Sequence, residues 1–199
     1  MSEAQSAADE NRFPTVGIIG GGQLARMSAQ PAIALGVHLR VLAASPEDSA
    51  AQVIPDVRIG SHDDVQAVLD FAEGLDVVTF DHEHVPPEIL AQLVDRGIAV
   101  HPSPDALIHA QDKVVMRAAL SAAGLPCPQW ASLAADADAA TTQSVLSEFG
   151  ERAGWPLILK TSRGGYDGRG VWVADSLDAA LAIVEAHPLT APTQWLLEE

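Results

Sequence analysis

Leu159-Lys160-Thr161-Ser162-Arg163-Gly164-Gly165-Tyr166-Asp167-Gly168-Arg169-Gly170 is the stretch on which the architecture turns. A lysine closes an apolar run, Pro156 to Thr161, that reads as a buried strand, and a loop with four glycines and two arginines follows it. Backbone amides in such a loop can approach the oxygens of a polyphosphate while the cations neutralise its charge. The pattern is not a Walker loop. It lacks the G-K-[ST] ending, and it leads into a return strand, Val171 to Val173, where a Walker loop would open a helix. The plainer reading is a glycine-rich hairpin with surface arginines. In a chain with 27 acidic and 11 basic residues, the clustering of Lys160, Arg163 and Arg169 makes that reading the weaker one.

Downstream, Leu177 to Ala186 has the pattern of a helix, and Gln194 to Glu199 that of an apolar strand ending in two acids. Placed after the glycine loop, Trp195-Leu196-Leu197-Glu198-Glu199 could offer backbone groups to an adenine and a carboxylate to its amine or ribose; elsewhere such an ending would mean little. Upstream, Ala134 to Gly150 is a loop leading into a helix. Gly124 to Trp130 carries Pro126 and Pro128 and is therefore extended. Asp105 to Ala123 is helical with a break near Gln111, and a domain boundary is expected near Asp112.

The N-terminal half alternates short apolar runs with helical patterns, the signature of βαβ units and a doubly wound parallel sheet. Strands are expected at Thr15 to Ile19, His38 to Leu42, Val57 to Ile59, Val77 to Phe80 and Ile98 to Val100. The first helix runs from Gln23 to about Leu35, with Leu24, Met27 and Leu35 predicted on a shared buried face and Gly36 as its stop. A second, Asp63 to Ala72, is expected to be capped by Ser61 or Asp63, and a third, Glu88 to Arg96, opens after Pro86 and Pro87.

Two loops of this half carry chemistry. Gly20-Gly21-Gly22-Gln23-Leu24-Ala25 has the G-x-G-x-x-A form after a strand and at a helix start, where amides can hold a phosphate. Alone it is ambiguous between a dinucleotide loop, another phosphate loop and a simple turn. Ala43, Ala44 and Ser45 stand where a dinucleotide site wants a ribose-binding acid, so an oxidoreductase reading loses support. Asp81-His82-Glu83-His84 follows the fourth strand, where open sheets place ligands. Strand alternation would put both histidines on one side and both acids on the other. Substrate binding, with Glu83 as the preferred ligand, and plain capping of the next helix stay equally open; a zinc site lacks a third ligand.

Composition narrows the partners. The chain has 199 residues, 48% of them hydrophobic, and a formal net charge of -16, which disfavours nucleic acid and anionic membranes. Its one cysteine, Cys127, permits no internal disulfide and no CxxC pair, in keeping with a reducing cytoplasm. Met1 to Arg12 is polar and acidic without an apolar segment, so it reads as a disordered tail and not a signal peptide. No stretch approaches a membrane span.

R-G-G-Y-D-G-R-G in the flap, G-G-G-Q-L-A-R-M near the N-terminus, V-V-T-F-D-H-E-H-V-P, and H-P-S-P-D-A-L with A-Q-D-K occur in one order along nearly the whole chain. Together they resemble the 5-(carboxyamino)imidazole ribonucleotide synthase family of ATP-grasp ligases, the ATPase subunits of phosphoribosylaminoimidazole carboxylase. The alternatives are another ATP-grasp carboxylase or ligase, and a non-catalytic dinucleotide-binding module. The resemblance implies a doubly wound pre-ATP-grasp domain over residues 13–112 and an incomplete α+β ATP-grasp domain over 113–199. It further implies ATP- and bicarbonate-dependent carboxylation of aminoimidazole ribonucleotide in purine biosynthesis, with Mg2+, in a cytoplasmic homodimer.

By the same resemblance Lys113, Lys160, Gly165, Tyr166, Asp167, Gly168, Arg169, Gly170, Val171, Glu198 and Glu199 would meet ATP. Tyr166 and Asp167 would also lie near the reacting bicarbonate and imidazole. Gly22, Gln23, Leu24 and Glu83 would meet the ribonucleotide. The magnesium ligands are expected beyond residue 199, so the 199 residues alone are expected to be inactive. His84, Asp81, Ala25 and Val171 depart from the family pattern, standing for a common asparagine, glutamate, glycine and glutamine; a valine offers ATP only its backbone.

Overall fold

The computed structural model describes residues 12–165 and 169–199, and the backbone forms two units, Met1–Leu107 and Ile108–Glu199. Residues 1–11 of the expected tail lie outside the described residues; Arg12, which follows them, is ion-paired with Asp76.

In the first unit, β1 (Thr15–Ile19), β2 (His38–Ala43), β3 (Asp56–Ile59), β4 (Val77–Phe80) and β5 (Ala99–Val100) form a wholly parallel sheet of order β3-β2-β1-β4-β5. Alternation along the strands gives it two buried faces. Ile19 and Leu42 enter a cluster with Val68, Phe71, Ile89 and Leu93, while Ile18 and Val41 enter another with Ala25, Ala50 and Ile54. The chain winds outward from β1 through β2 to β3 and then returns to β4 on the other side of β1. The β1/β4 seam is therefore the switch point of the sheet, and the loops after these two strands face each other there.

Three helices connect the strands: α1 (Gln23–Leu35), α2 (Val65–Ala72) and α3 (Pro87–Asp95). The structure corrects the face predicted for α1. Leu24, Met27 and Leu35 are 63%, 69% and 76% exposed, whereas Ala25 and Ala32 are buried and Ala29 packs beside them. A stripe of alanines lets the helix axis approach the sheet closely, and the larger side chains are turned outward. Gly36, at φ 66°, ends the helix in the left-handed region. The cap of α2 is Asp64, whose carboxylate accepts from Gln66 N and Ala67 N, while Ser61 and Asp63 bond to each other. After β5, α4 (Pro104–Gln111) contributes Leu107 to the first unit's core.

The second unit begins within α4, at Ile108, and continues into α5 (Lys113–Ala122), separated from α4 by Asp112, the break expected near Gln111. Its sheet is antiparallel, in the order β6-β9-β7-β8, built from β6 (Trp130–Leu133), β7 (Leu157–Thr161), β8 (Val171–Ala174) and β9 (Trp195–Glu198). The sequence predicts an extended segment that stops at Trp130 and no strand over β6. Its pairing partner, β9, lies more than sixty residues away, so local pattern carries little trace of it. Helices α6 (Ala139–Ala153) and α7 (Leu177–Ala186) cover one face, where Leu146, Phe149 and Ala180 pack on Leu157, Leu159, Trp195 and Leu197.

Among the described residues no helix is long and apolar enough to cross a membrane.

Candidate functional site

Alternation in the antiparallel sheet assigns Lys160 and Glu198 to the face opposite the helices. Leu159 and Leu197 are paired across the core face, and Lys160 and Glu198 each follow one of them. Register then makes them diagonal neighbours, because Lys160 stands opposite Leu196 and Glu198 opposite Ile158. The Lys160 ammonium donates to Glu198 Oε2, and Arg117 Nε on α5 donates to Oε1. Glu198 is only 2% exposed. Burial alone would raise its pKa, but the hydrogen bonds and charges of Lys160 and Arg117 outweigh that and hold the carboxyl below its ordinary range. Val171, paired with Lys160, and Val173, paired with Ile158, continue the same face in β8 and are 41% and 58% exposed. The face thus combines apolar surface with a lysine and a charged cluster.

The root of the glycine loop is anchored to α5. Asp112, 3% exposed, accepts from Val114 N at 3.0 Å and Val115 N at 3.3 Å, capping the helix, and from Arg163 Nε at 2.9 Å. The Lys113 ammonium donates to Gly164 O at 2.7 Å, and Lys113 N to Ser162 O at 2.8 Å. At the far end of the loop Gly170 takes φ 71°, and a Cβ there would lie 2.7 Å from Thr161 Oγ1. Gly165 and Arg169 flank the segment 166–168; Tyr166, Asp167 and Gly168 lie outside the described residues. Glu199 closes the chain, its amide donating to Gln129 O at 3.2 Å. Asp112→Asn keeps an oxygen for the cap but removes the charge facing Arg163. It is expected to lower stability by about 1.5 kcal/mol, measured by urea unfolding.

In the first unit the β1 and β4 loops meet at the switch point. Asp81 Oδ2 accepts from Gly22 N at 2.5 Å and Oδ1 from Ala25 N at 2.9 Å, so its carboxylate caps α1 from across the sheet. Two of the amides that the sequence offers to a phosphate are therefore bonded to this acid. The glycines are required by close approach: a Cβ on Gly22 would lie 2.2 Å from Asp81 Oδ2, and one on Gly21 2.7 Å from Asp48 Oδ2.

Beside this contact lies a cavity of about 410 Å3, lined by Gly20, Gly21, Gly22, Asp48, Asp81 and the histidines His62, His82 and His84, among others. Gln23, Leu24 and Glu83 are not among its lining residues; Gln23 and Leu24 form the exposed first turn of α1, and Glu83 is half-buried. The segment 81–84 is no longer strand. His82 and His84 nevertheless stay together, with ring centroids 5.3 Å apart, and His62 stands 4.6 Å from His82. Burial, then the charges of His62 and His84, lower the pKa of His82 against the opposing pull of Asp81 and Glu83. No group of histidine, cysteine, aspartate or glutamate among the described residues is arranged to hold a metal ion.

Neither Arg117 nor His62 is among the residues that the sequence motifs single out. Arg117 lies one helical turn from Lys113, on the same side of α5, which was a usable signal. His62 sits just past the third parallel strand, where the open-sheet rule that singled out residues 81–84 applies equally.

The ribonucleotide synthetase preATP-grasp domain family matches residues 13–111, and the ATP-grasp domain family matches residues 118–199. N5-carboxyaminoimidazole ribonucleotide synthase of Mycobacterium tuberculosis is 54% identical over 167 residues, covering 83% of this chain and 37% of the relative. Among solved structures, the synthetase from Thermus thermophilus is 33% identical with a TM-score of 0.76, covering 92% of this chain and 46% of that one. The synthase from Aspergillus clavatus, in complex with ADP and 5-aminoimidazole ribonucleotide, is 27% identical with a TM-score of 0.78, covering 94% and 47%. The chain spans less than half the length of each of these relatives. It belongs to the N5-carboxyaminoimidazole ribonucleotide synthase family of ATP-grasp proteins, whose preATP-grasp unit it carries together with ATP-grasp residues 118–199.

Proposed function

We propose that this chain supplies the ribonucleotide-binding domain, residues 13–112, and part of the ATP site, within 113–199, of an ATP-dependent carboxylase of 5-aminoimidazole ribonucleotide in purine biosynthesis. ATP phosphorylates bicarbonate, giving ADP and carboxyphosphate. The carboxyphosphate, or CO2 released from it, then carboxylates the exocyclic amine with release of phosphate. The observation that carries the reading is the diagonal Lys160–Glu198 pair on the open face of an antiparallel sheet, at the root of a glycine-rich loop.

In this reading the adenine lies against the apolar surface of Val171 and Val173, while Lys160, Lys113 and the loop amides from Gly165 to Val171 meet the phosphates. Arg117 matters because it takes a share of Glu198's charge and leaves the cluster net positive toward a phosphate. Glu198 and Glu199 border the adenine and ribose. Tyr166 and Asp167 are assigned to the reacting centre from the family pattern. Gly22, Gln23, Leu24 and Glu83 are assigned to the ribonucleotide.

Magnesium, which would supply charge neutralisation at the phosphates, belongs to the proposal. The buried carboxylates described in the second unit, Asp112 and Glu198, are already committed to arginine and lysine, so they do not fit as its ligands. A cytoplasmic homodimer completes the reading.

The test is ADP release from ATP, bicarbonate and magnesium, in a chain of the relatives' full length. Stimulation by 5-aminoimidazole ribonucleotide is expected, and Lys160→Met should lower kcat/KM for ATP by about a hundredfold. ADP release indifferent to both the ribonucleotide and bicarbonate would overturn the proposal.

A further inference from the structure

The switch-point cavity has an unusual charge inventory for a place that is to receive a phosphate ester. Its lining contains two carboxylates, Asp48 and Asp81, and no lysine or arginine. Both acids are held by backbone amides: Asp81 by Gly22 and Ala25, and Asp48 by Ala44 N at 2.9 Å and Ser45 N at 3.3 Å. A dianion entering the cavity would meet two fixed negative charges. The remaining lining groups able to change that balance are the three histidines.

The histidines are not equivalent. His84 N donates to His82 Nδ1 at 3.2 Å, so Nδ1 is an acceptor and the His82 proton sits on Nε2. A second proton on Nδ1 would break that bond, and burial, with the charges of His62 and His84, separately lowers the pKa of His82. His82 is thus a neutral N–H donor. His62 and His84 flank it, with centroids 4.6 Å and 5.3 Å from its ring.

Asp48 comes from the loop after β2, Asp63 stands next to His62 after β3, and Asp81 and Glu83 come from the loop after β4. From α1, Arg26 donates to the carbonyl of Ser49, another lining residue. The Gly20–Gly22 turn carries no charge.

Resting on the ribonucleotide reading given above, we infer that His62, His82 and His84 form the anion-recognising wall of this cavity. His82 donates from Nε2 while His62 and His84 take up a proton as the phosphate monoester binds. Within the D-H-E-H segment the resemblance gives a role to Glu83 alone, and His62 lies outside the motifs that carry it. The consequence is a proton-linked affinity. By linkage, an anion that binds the protonated form better raises the pKa of that form, and its own affinity falls as pH rises.

The experiment is an NMR titration of the histidine Cε1–H signals of the chain between pH 5 and 8.5. It is run with ribose 5-phosphate, with sulfate, whose charge is constant over this range, and with sodium chloride at matched ionic strength. Ribose 5-phosphate and sulfate are expected to raise the midpoint of His62 or His84 by at least about half a pH unit relative to chloride. His82 should remain the Nε2–H tautomer. His62→Gln and His84→Gln should each weaken ribose 5-phosphate about tenfold at pH 6.5 and much less at pH 8.

If the Gly21 and Gly22 amides shift with ribose 5-phosphate while no histidine midpoint moves, the histidine proposal is wrong and the ribonucleotide reading of the cavity stands. If neither the amides nor the histidines respond, both fall.

Discussion

Glu198→Ala is expected to lower the stability of the second unit by about 3 kcal/mol, because removing one partner from a buried ion cluster leaves the others desolvated without compensation. Here two cations are affected. Lys160 and Arg117 have side chains only 26% and 17% exposed and share the two oxygens of one carboxylate. Urea denaturation followed by tryptophan fluorescence reads this unit directly, since Trp130, Trp155, Trp172 and Trp195 all belong to it. Glu198→Gln, which keeps the volume, should fall between wild type and the alanine variant. A change below about 0.5 kcal/mol in the alanine variant would mean that the cluster is solvated and does not hold the sheet face in place.

The same residue sets a pH dependence whose sign is fixed. Its carboxyl titrates lower in the folded chain than in the unfolded one, where the ordinary value is 4.5. The folded state therefore binds fewer protons than the unfolded state. The stabilisation is present above pH 4.5 and is lost as pH falls through the lower, folded value. The stability difference between wild type and Glu198→Gln should accordingly shrink below pH 4.5 and be constant from there to neutrality.

Gly22→Ala should cost the first unit about 3 kcal/mol, from loss of the hydrogen bonds that Asp81 accepts from Gly22 and Ala25. Backbone conformation is not the reason. Gly22 sits at φ -81°, which alanine adopts freely, but the added methyl would lie 2.2 Å from Asp81 Oδ2. A melting-temperature drop of roughly 15 °C is expected for a unit of this size. The combined variant Gly22→Ala with Asp81→Ala separates the steric term from the rest. With the carboxylate gone, the methyl has room, so the double variant should be no less stable than Asp81→Ala alone. Additive losses would show that the clash is not with Asp81.

The parallel sheet was readable because each strand carries its own apolar run and each turn its own glycine or proline. Thr15–Ile19, Val77–Phe80 and Leu177–Ala186 fall where the pattern put them. What failed depended on partners distant in sequence. The face of α1 was misjudged because large apolar side chains were expected to define the buried side, whereas the sheet demands the close approach that only Ala25, Ala29 and Ala32 allow. Strand β6 acquires its identity from β9.

The chemistry of the candidate sites divides in the same way. Lys160, Glu198 and the glycines were legible as local motifs. The ion pairs that make them a cluster, Arg117–Glu198 and Arg163–Asp112, link helix to sheet and loop across 81 and 51 positions. The capping role of Asp81 was equally out of reach, since its partners lie 59 and 56 residues upstream.

The contact of Asp81 with the amides of Gly22 and Ala25 also works as a mechanical tie. One carboxylate, rooted in the loop after β4, grips the first turn of α1 through both of its oxygens. The two sides of the β1/β4 seam are thereby fastened to each other at the mouth of the cavity, so a displacement of either loop is carried to the other.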